Sequence, residues 1–181
     1  GKLKAKAPSL NAVLDWVDMP AALHSDQGAL DVEASLSHVD GKLTLNDLTM
    51  AFGGIPASGM LVLDPSPATP LVSGTLAFEK ADLGSLVAAF QPAARDATGR
   101  SLDLDLRFSA ETVQAASFVL ENAAGAIKVS GNDTFLDLGS SRFAGGECVG
   151  SLKFSGPIGK REAVVKLSMR NIMADQAASY D

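Results

Sequence analysis

Phe52-Gly53-Gly54-Ile55-Pro56-Ala57-Ser58-Gly59-Met60-Leu61 occurs twice in this chain, in outline if not letter for letter. The second version is Phe143-Ala144-Gly145-Gly146-Glu147-Cys148-Val149-Gly150-Ser151-Leu152, 91 positions further on. The same offset relates Leu45 to Leu136, Gly54 to Gly145, Gly59 to Gly150, Leu61 to Leu152 and Leu76 to Leu167, with no gap. Apolar residues and glycines keep register while most polar positions drift, which marks a repeated structural unit. The spacing predicts a duplicated shape rather than a duplicated catalytic centre.

Outward from this stretch the chain reads as strands. Leu30, Val32, Ala34 and Leu36 alternate with Asp31, Glu33, Ser35 and Ser37, the pattern of a half-buried strand. Asp40-Gly41 is a hairpin signal. Leu43 and Leu45 continue the alternation, and the parity slips at Asn46-Asp47 before Leu48, Met50 and Phe52, as a β-bulge would make it. Gly53-Gly54 turns the chain, residues 59–63 form the next strand, and the proline-rich segment from Pro65 to Pro70 is a loop. Further on, Leu102, Leu104, Leu106 and Phe108 face one way, with Asp103, Asp105 and Arg107 facing the other. Strands are expected near residues 117–121, 126–129, 134–143, 149–154 and 163–169, with turns at Gly131-Asn132, Gly145-Gly146 and Gly156-Pro157.

A second repeat has an offset of 73. Leu3 and Leu10 in the opening segment match Leu76 and Leu83, each time a strand leading into apolar residues at helical spacing. Leu10, Val13, Leu14 and Val17 follow Ser9, and Leu83, Leu86, Val87 and Phe90 follow Asp82, with Ser9 and Asp82 as N-caps. A third, blurred copy starts at Lys166 and runs through residues 172–178. The expected fold is mainly β: repeated antiparallel β-meanders forming a curved sheet or sandwich, with two or three short helices between repeats. Residues 1–26 would end a preceding repeat, 27–91 form a first meander with its terminal helix, and 92–181 form a second, truncated one.

Composition narrows the function. The chain has 181 residues, enough to bury a core, and an ordinary apolar fraction. A net charge of −6 and a pI near 4.8 argue against nucleic acid, which needs clustered cations. The single cysteine, Cys148, excludes an internal disulfide and fits no metal motif. No apolar run approaches the roughly 20 residues of a membrane helix. Gly1 in place of Met suggests an excised fragment, whose targeting segments lie elsewhere.

The strings LTLNDLTMAFGGIPASGMLVLD and LVSGTLAFEKADLGSLVAAF, then TFLDLGSSRFAGGECVGSLKFSG and the opening GKLKAKAPSLNAVLDWV, together resemble the AsmA family of Gram-negative envelope proteins. The resemblance spans nearly the whole chain, through glycines and aliphatics at strand spacing; Met173-Ala174 stands where the helix-opening Asp82-Leu83 pattern would recur. It implies the periplasmic part of an inner-membrane-anchored protein of outer-membrane biogenesis, whose larger relatives are thought to carry phospholipid along hydrophobic grooves.

No constellation points to an enzyme, and no cofactor is expected. In His24-Ser25-Asp26, adjacent residues on an extended segment point apart and form no relay. His38 is expected at a strand's rim, with Val129 in its place in the second copy. Cys148 aligns with Ala57 and reads as a small buried hydrophobe. Asp103, Asp105 and Glu111 form an outer carboxylate row without the glycine-bearing loop a calcium site wants. The Gly-Gly pairs lack the helix and Lys-Ser/Thr of a phosphate loop. Trp16, flanked by Asp15 and Asp18, reads as a packing residue.

The remaining candidate is the apolar face. Leu30, Val32, Leu36, Leu43 and Leu45 would line one wall, and Leu102, Leu104, Leu106 and Phe108 the next. Phe52, Gly54, Gly59 and Leu61, with Phe143, Gly145, Gly150 and Leu152, are the structural repeat positions. Alternation of this kind suits either a closed core or an open trough for phospholipid acyl chains, where each buried methylene is worth about 0.8 kcal/mol. The alternative partners are envelope proteins recruited by pairing on exposed strand edges.

Overall fold

A computed structural model describes residues 1–7, 30–52, 55–85, 102–115, 118–156 and 160–173. The helix expected after Ser9, with Trp16, the His24-Ser25-Asp26 triplet, Gly54, the second expected helix from Leu86 onward, with Val87 and Phe90, and the third beyond Met173 lie outside these residues. Leu30 and Phe52 are described for their backbone alone.

Among the described residues ten strands form one sheet in simple chain order. They are β1 (Lys2–Ala7), β2 (Leu30–Val39), β3 (Lys42–Phe52), β4 (Ile55–Asp64), β5 (Leu71–Asp82), β6 (Asp103–Ala115), β7 (Phe118–Ser130), β8 (Asp133–Phe143), β9 (Gly146–Ser155) and β10 (Glu162–Arg170). The sheet is open, with β1 and β10 as its edges. Its mainly β, largely antiparallel character follows from the period-2 alternation, because only that period puts every second side chain on one face. One sheet runs across both expected unit boundaries, since β1 pairs with β2 and β5 with β6.

The offset of 91 carries β3 onto β8 and β4 onto β9 residue for residue, and β5 onto β10. The offset of 73 carries β1 into β5. The longer unit is the one that contains β6. Whereas β1 lies directly beside β2, their counterparts β5 and β7 are separated by β6. The β5–β6 pair is parallel, with Val72 beside Leu104 and Leu76 beside Phe108. This departs from the all-antiparallel expectation for a definite reason. The chain leaves β5 at Asp82 and re-enters the sheet at Asp103, and a connection of that length permits a crossover that a hairpin cannot make.

Local chemistry explains the hairpins. Asp40 and Gly41 have φ of 50° and 77°, the two positive values of a type I′ turn. The expected bulge is present: Asp47 has φ 49°, and the register shifts between Leu45 and Leu48 against β4. The extra residue returns Leu48, at 1% exposure, to the core side. The turn expected at Gly145-Gly146 falls one residue earlier, on Ala144 and Gly145 with φ of 46° and 76°. Gly146 instead opens β9 opposite Phe143, closing a two-residue loop. The strands expected at 117–121 and 126–129 are one long strand, β7, whose register shifts near Ala124 absorb the irregular pattern.

Asp82 caps the only helical residues described, 83–85: its Oδ1 accepts the Ser85 backbone N–H at 2.7 Å. The hydrogen bonds from Ser85 hold this carboxyl below its ordinary range.

Asp64 fastens the end of β4. Its Oδ2 lies 2.8 Å from Lys42 Nζ, and its Oδ1 accepts the Ser66 N–H at 3.0 Å and the Ser66 hydroxyl. The Lys42 and Ser66 hydrogen bonds hold the Asp64 carboxyl down at about 2. A depressed carboxylate contributes stability above its unfolded value and loses it as pH falls through the folded one. The melting temperature should therefore drop between about pH 4 and pH 2 more steeply in the native protein than in Asp64→Asn. Parallel acid profiles for the two would show that the pair contributes nothing.

Candidate functional site

Following one register across the sheet shows what the alternation builds. Leu36 of β2 pairs with Leu45, Leu45 with Leu61, Leu61 with Gly74, and Gly74 with Leu106. The row continues through Ile127 and Leu136 to Leu152 and ends at Val165 of β10. A single apolar line thus crosses from β2 to β10.

Burial along this line is uneven. Leu102, just ahead of β6, and the β6 residues Leu104, Leu106 and Phe108 are all buried, Leu106 to 4% exposure, and so are Ile127 and Leu136. Val32, Leu36, Leu43, Leu45, Leu61 and Leu152 are half-buried. At the far edge the line is open: Val165 is 68% exposed and Leu167 57%. The two expected walls therefore belong to one face of one sheet, buried along β6 and half-covered along β2 and β3.

Glycines set how closely the strands approach. A Cβ on Gly59 would lie 2.0 Å from the Thr75 carbonyl oxygen, and one on Gly74 would lie 2.1 Å from that of Met60. These two glycines sit opposite Leu76 and Leu61, so a large side chain covers each bare backbone. The repeat preserves the arrangement, since Gly150 approaches the Lys166 carbonyl oxygen, the counterpart of Thr75. This is the physical content of the glycines at 59 and 150. Phe143 is buried and stacks edge-on against Phe118, with ring centroids 5.3 Å apart.

Of the polar candidates, Cys148, Asp103 and Asp105 make contacts within the sheet. His38 is exposed near the β2–β3 turn, beyond the last residue of β2 that β1 covers. Cys148 is buried at 1% exposure, and its carbonyl accepts the Ser141 hydroxyl at 2.7 Å. Asp103 accepts hydrogen bonds from Ser130 Oγ at 3.1 Å and Gly131 N at 3.2 Å, tying down the β7–β8 turn. Asp105 pairs with Lys128 at 3.2 Å, and Glu111 is exposed. Among the described residues no group of three or more His, Cys, Asp and Glu side chains could hold a metal ion, and no helix is long and apolar enough to cross a membrane.

The open end on β10 was not singled out from the sequence. A signal existed, because Leu76 maps onto Leu167 and Phe78 onto Met169. Leu76 and Phe78 are buried, while Leu167 and Met169 are exposed. Identical alternation cannot report whether a neighbouring strand is present.

Fold and site together define an open, repeat-built β-sheet protein with a continuous apolar face. No protein-family model matches the chain, and no curated protein or solved structure matches it.

Proposed function

We propose that this chain is a non-enzymatic module of the cell envelope, the periplasmic part of an AsmA-like, inner-membrane-anchored protein acting in outer-membrane biogenesis. Its apolar sheet face is offered to phospholipid acyl chains. The observation that carries this reading is the unbroken apolar line from Leu36 to Val165, which emerges uncovered on β10. The AsmA resemblance of the repeats supports the compartment and the lipid. Because the β6 residues are already covered by protein, the surface left for an acyl chain lies toward β9 and β10, around Leu152, Val165 and Leu167.

The test is native mass spectrometry of the purified protein, followed by organic extraction and lipid analysis. Stoichiometric phospholipid is expected, and it should be lost in Val165→Asp/Leu167→Asp with the circular dichroism spectrum unchanged. A lipid-free protein, or equal lipid in the double variant, overturns the acyl-chain role.

A second reading is favoured by the burial of Leu102, Leu104, Leu106 and Phe108: a closed-core scaffold that recruits envelope proteins along its strand edges. It requires no lipid, so the same extraction separates the two.

A further inference from the structure

Among the described residues β6 has no counterpart in the first repeat. The offsets of 73 and 91 carry β1 and β2 into β5 and β7, and β1 pairs with β2 directly. Applied to that pairing, they turn Leu3–Ala34 into Leu76–Gly125, Lys4–Glu33 into Ala77–Ala124 and Ala5–Val32 into Phe78–Ala123. These are the residues that β6 holds apart one by one. Leu76 lies beside Phe108 and Phe108 beside Gly125; Ala77 lies beside Ser109 and Ser109 beside Ala124. Phe78, Ala110 and Ala123 continue the series. β6 thus lies in the sheet without shifting its two neighbours relative to each other by a single residue.

The backbone groups on either side of β6 are also phased for each other. In the first repeat, Gly1 and Leu36 exchange two backbone hydrogen bonds, at 2.6 Å and 2.8 Å. Their counterparts are Gly74 and Ile127. The Pro70 carbonyl accepts the Asp103 N–H at 2.9 Å, so strand alternation turns the polar groups of Gly74 toward β6 as well. Asp103 faces β5, so Leu106 faces β7, where it is in register with Ile127. Gly74 and Ile127 therefore point their backbone groups at each other across β6. The side chains agree. Direct pairing would set Val72 beside Val129, Lys80 beside Glu121, and Leu76 over Gly125, the bare position that the Phe108 ring now covers.

We propose that β6 is a removable strand and that the seam between β5 and β7 has two arrangements. One is held open by β6; in the other, β5 pairs directly with β7 in the register of β1 and β2. β6 keeps the seam open because it buries Leu104, Leu106, Phe108 and Val113. Substitution within β6 does not close the seam. An expelled strand would leave its apolar side chains on a loop in water, whereas an unfolded chain partly buries them. Closure follows when the strand itself is absent, and residues 83–101 then join β5 to β7 as residues 8–29 join β1 to β2.

The experiment deletes residues 102–117 from the whole chain and follows urea unfolding by circular dichroism. A cooperative transition is expected, with its midpoint below that of the native protein. Deleting residues 118–132, which removes β7 and its turn, is the control. It brings together β6 and β8, two parallel strands, and residues 116–117 are too short to cross over between them, so no cooperative transition is expected. Closure is read by a disulfide. Ala77→Cys with Ala124→Cys should oxidise in the deletion chain, where the two positions are direct partners about 5 Å apart. The same pair should stay reduced in the full chain, where Ser109 stands between them and the gap is about 10 Å. Ala77→Cys with Lys128→Cys, which is out of register, should stay reduced in both. The native Cys148 is buried and does not compete. An unfolded deletion chain, a folded one that fails to form the 77–124 disulfide, an out-of-register disulfide, or equal stability for the two deletions would each overturn the proposal.

Discussion

Leu106→Asp is expected to leave the protein largely unfolded at neutral pH, the largest effect of any single substitution considered. Leu106 is 4% exposed and sits in register between Gly74 of β5 and Ile127 of β7. Truncating a buried leucine costs about 2–5 kcal/mol, and a carboxylate without a partner adds a desolvation cost or a forced protonation. A loss of at least about 5 kcal/mol reaches the lower end of the 5–15 kcal/mol that holds a typical domain together. Urea denaturation followed by circular dichroism measures it. The comparison is Leu167→Asp on β10, two residues along from Val165 of the Leu106 row but 57% exposed, where the change should stay within about 1 kcal/mol. A folded Leu106→Asp protein with a native urea midpoint would mean that the β6 face is open to solvent.

Gly125→Ala is expected to cost about 3 kcal/mol, although it adds a single methyl group. The new Cβ would lie 2.0 Å from the Asp137 carbonyl oxygen and 2.9 Å from the Phe108 ring. The oxygen belongs to the backbone of β8, so relief requires strands to move apart rather than a side chain to rotate. Gly139→Ala is the control on the neighbouring strand, since its Cβ would meet nothing closer than the Ala124 oxygen at 3.6 Å. That variant should stay within about 0.5 kcal/mol of the native protein. Equal melting temperatures for the two variants would show that the β7–β8 contact is not tight.

These two results bear on the same question from different sides. Leu106 tests whether the middle of the apolar face is a core, and Gly125 tests whether the strands beneath it are held at close spacing. Both concern the covered part of the face, so neither predicts the occupant of its open end at β10. The lipid extraction addresses that end.

The period-2 alternation, the Asp40-Gly41 turn, the bulge at Asn46-Asp47 and the Asp82 cap were all legible in the sequence. Each depends on residues within a few positions of one another, whose backbone preferences act locally. Even the placement of the glycines was legible through the repeat, although their reason was not: Gly59 faces the Thr75 carbonyl, which lies on another strand. The position of the second Gly-Gly turn was read one residue late, because Gly146 is required by a close approach to the Arg170 carbonyl oxygen, not by the turn.

By itself the sequence determined the class of the fold, the two copies of β3 and β4, and which side of each strand is apolar. Tertiary structure alone decided that β6 enters parallel to β5, that Leu102, Leu104, Leu106 and Phe108 are buried while Leu167 and Met169 are exposed, and that β10 is last in the strand order among the described residues. The reason is physical: alternation specifies a face, but burial of that face depends on non-local pairing, and two strands with the same pattern differ in exposure when only one of them has a neighbour on both sides.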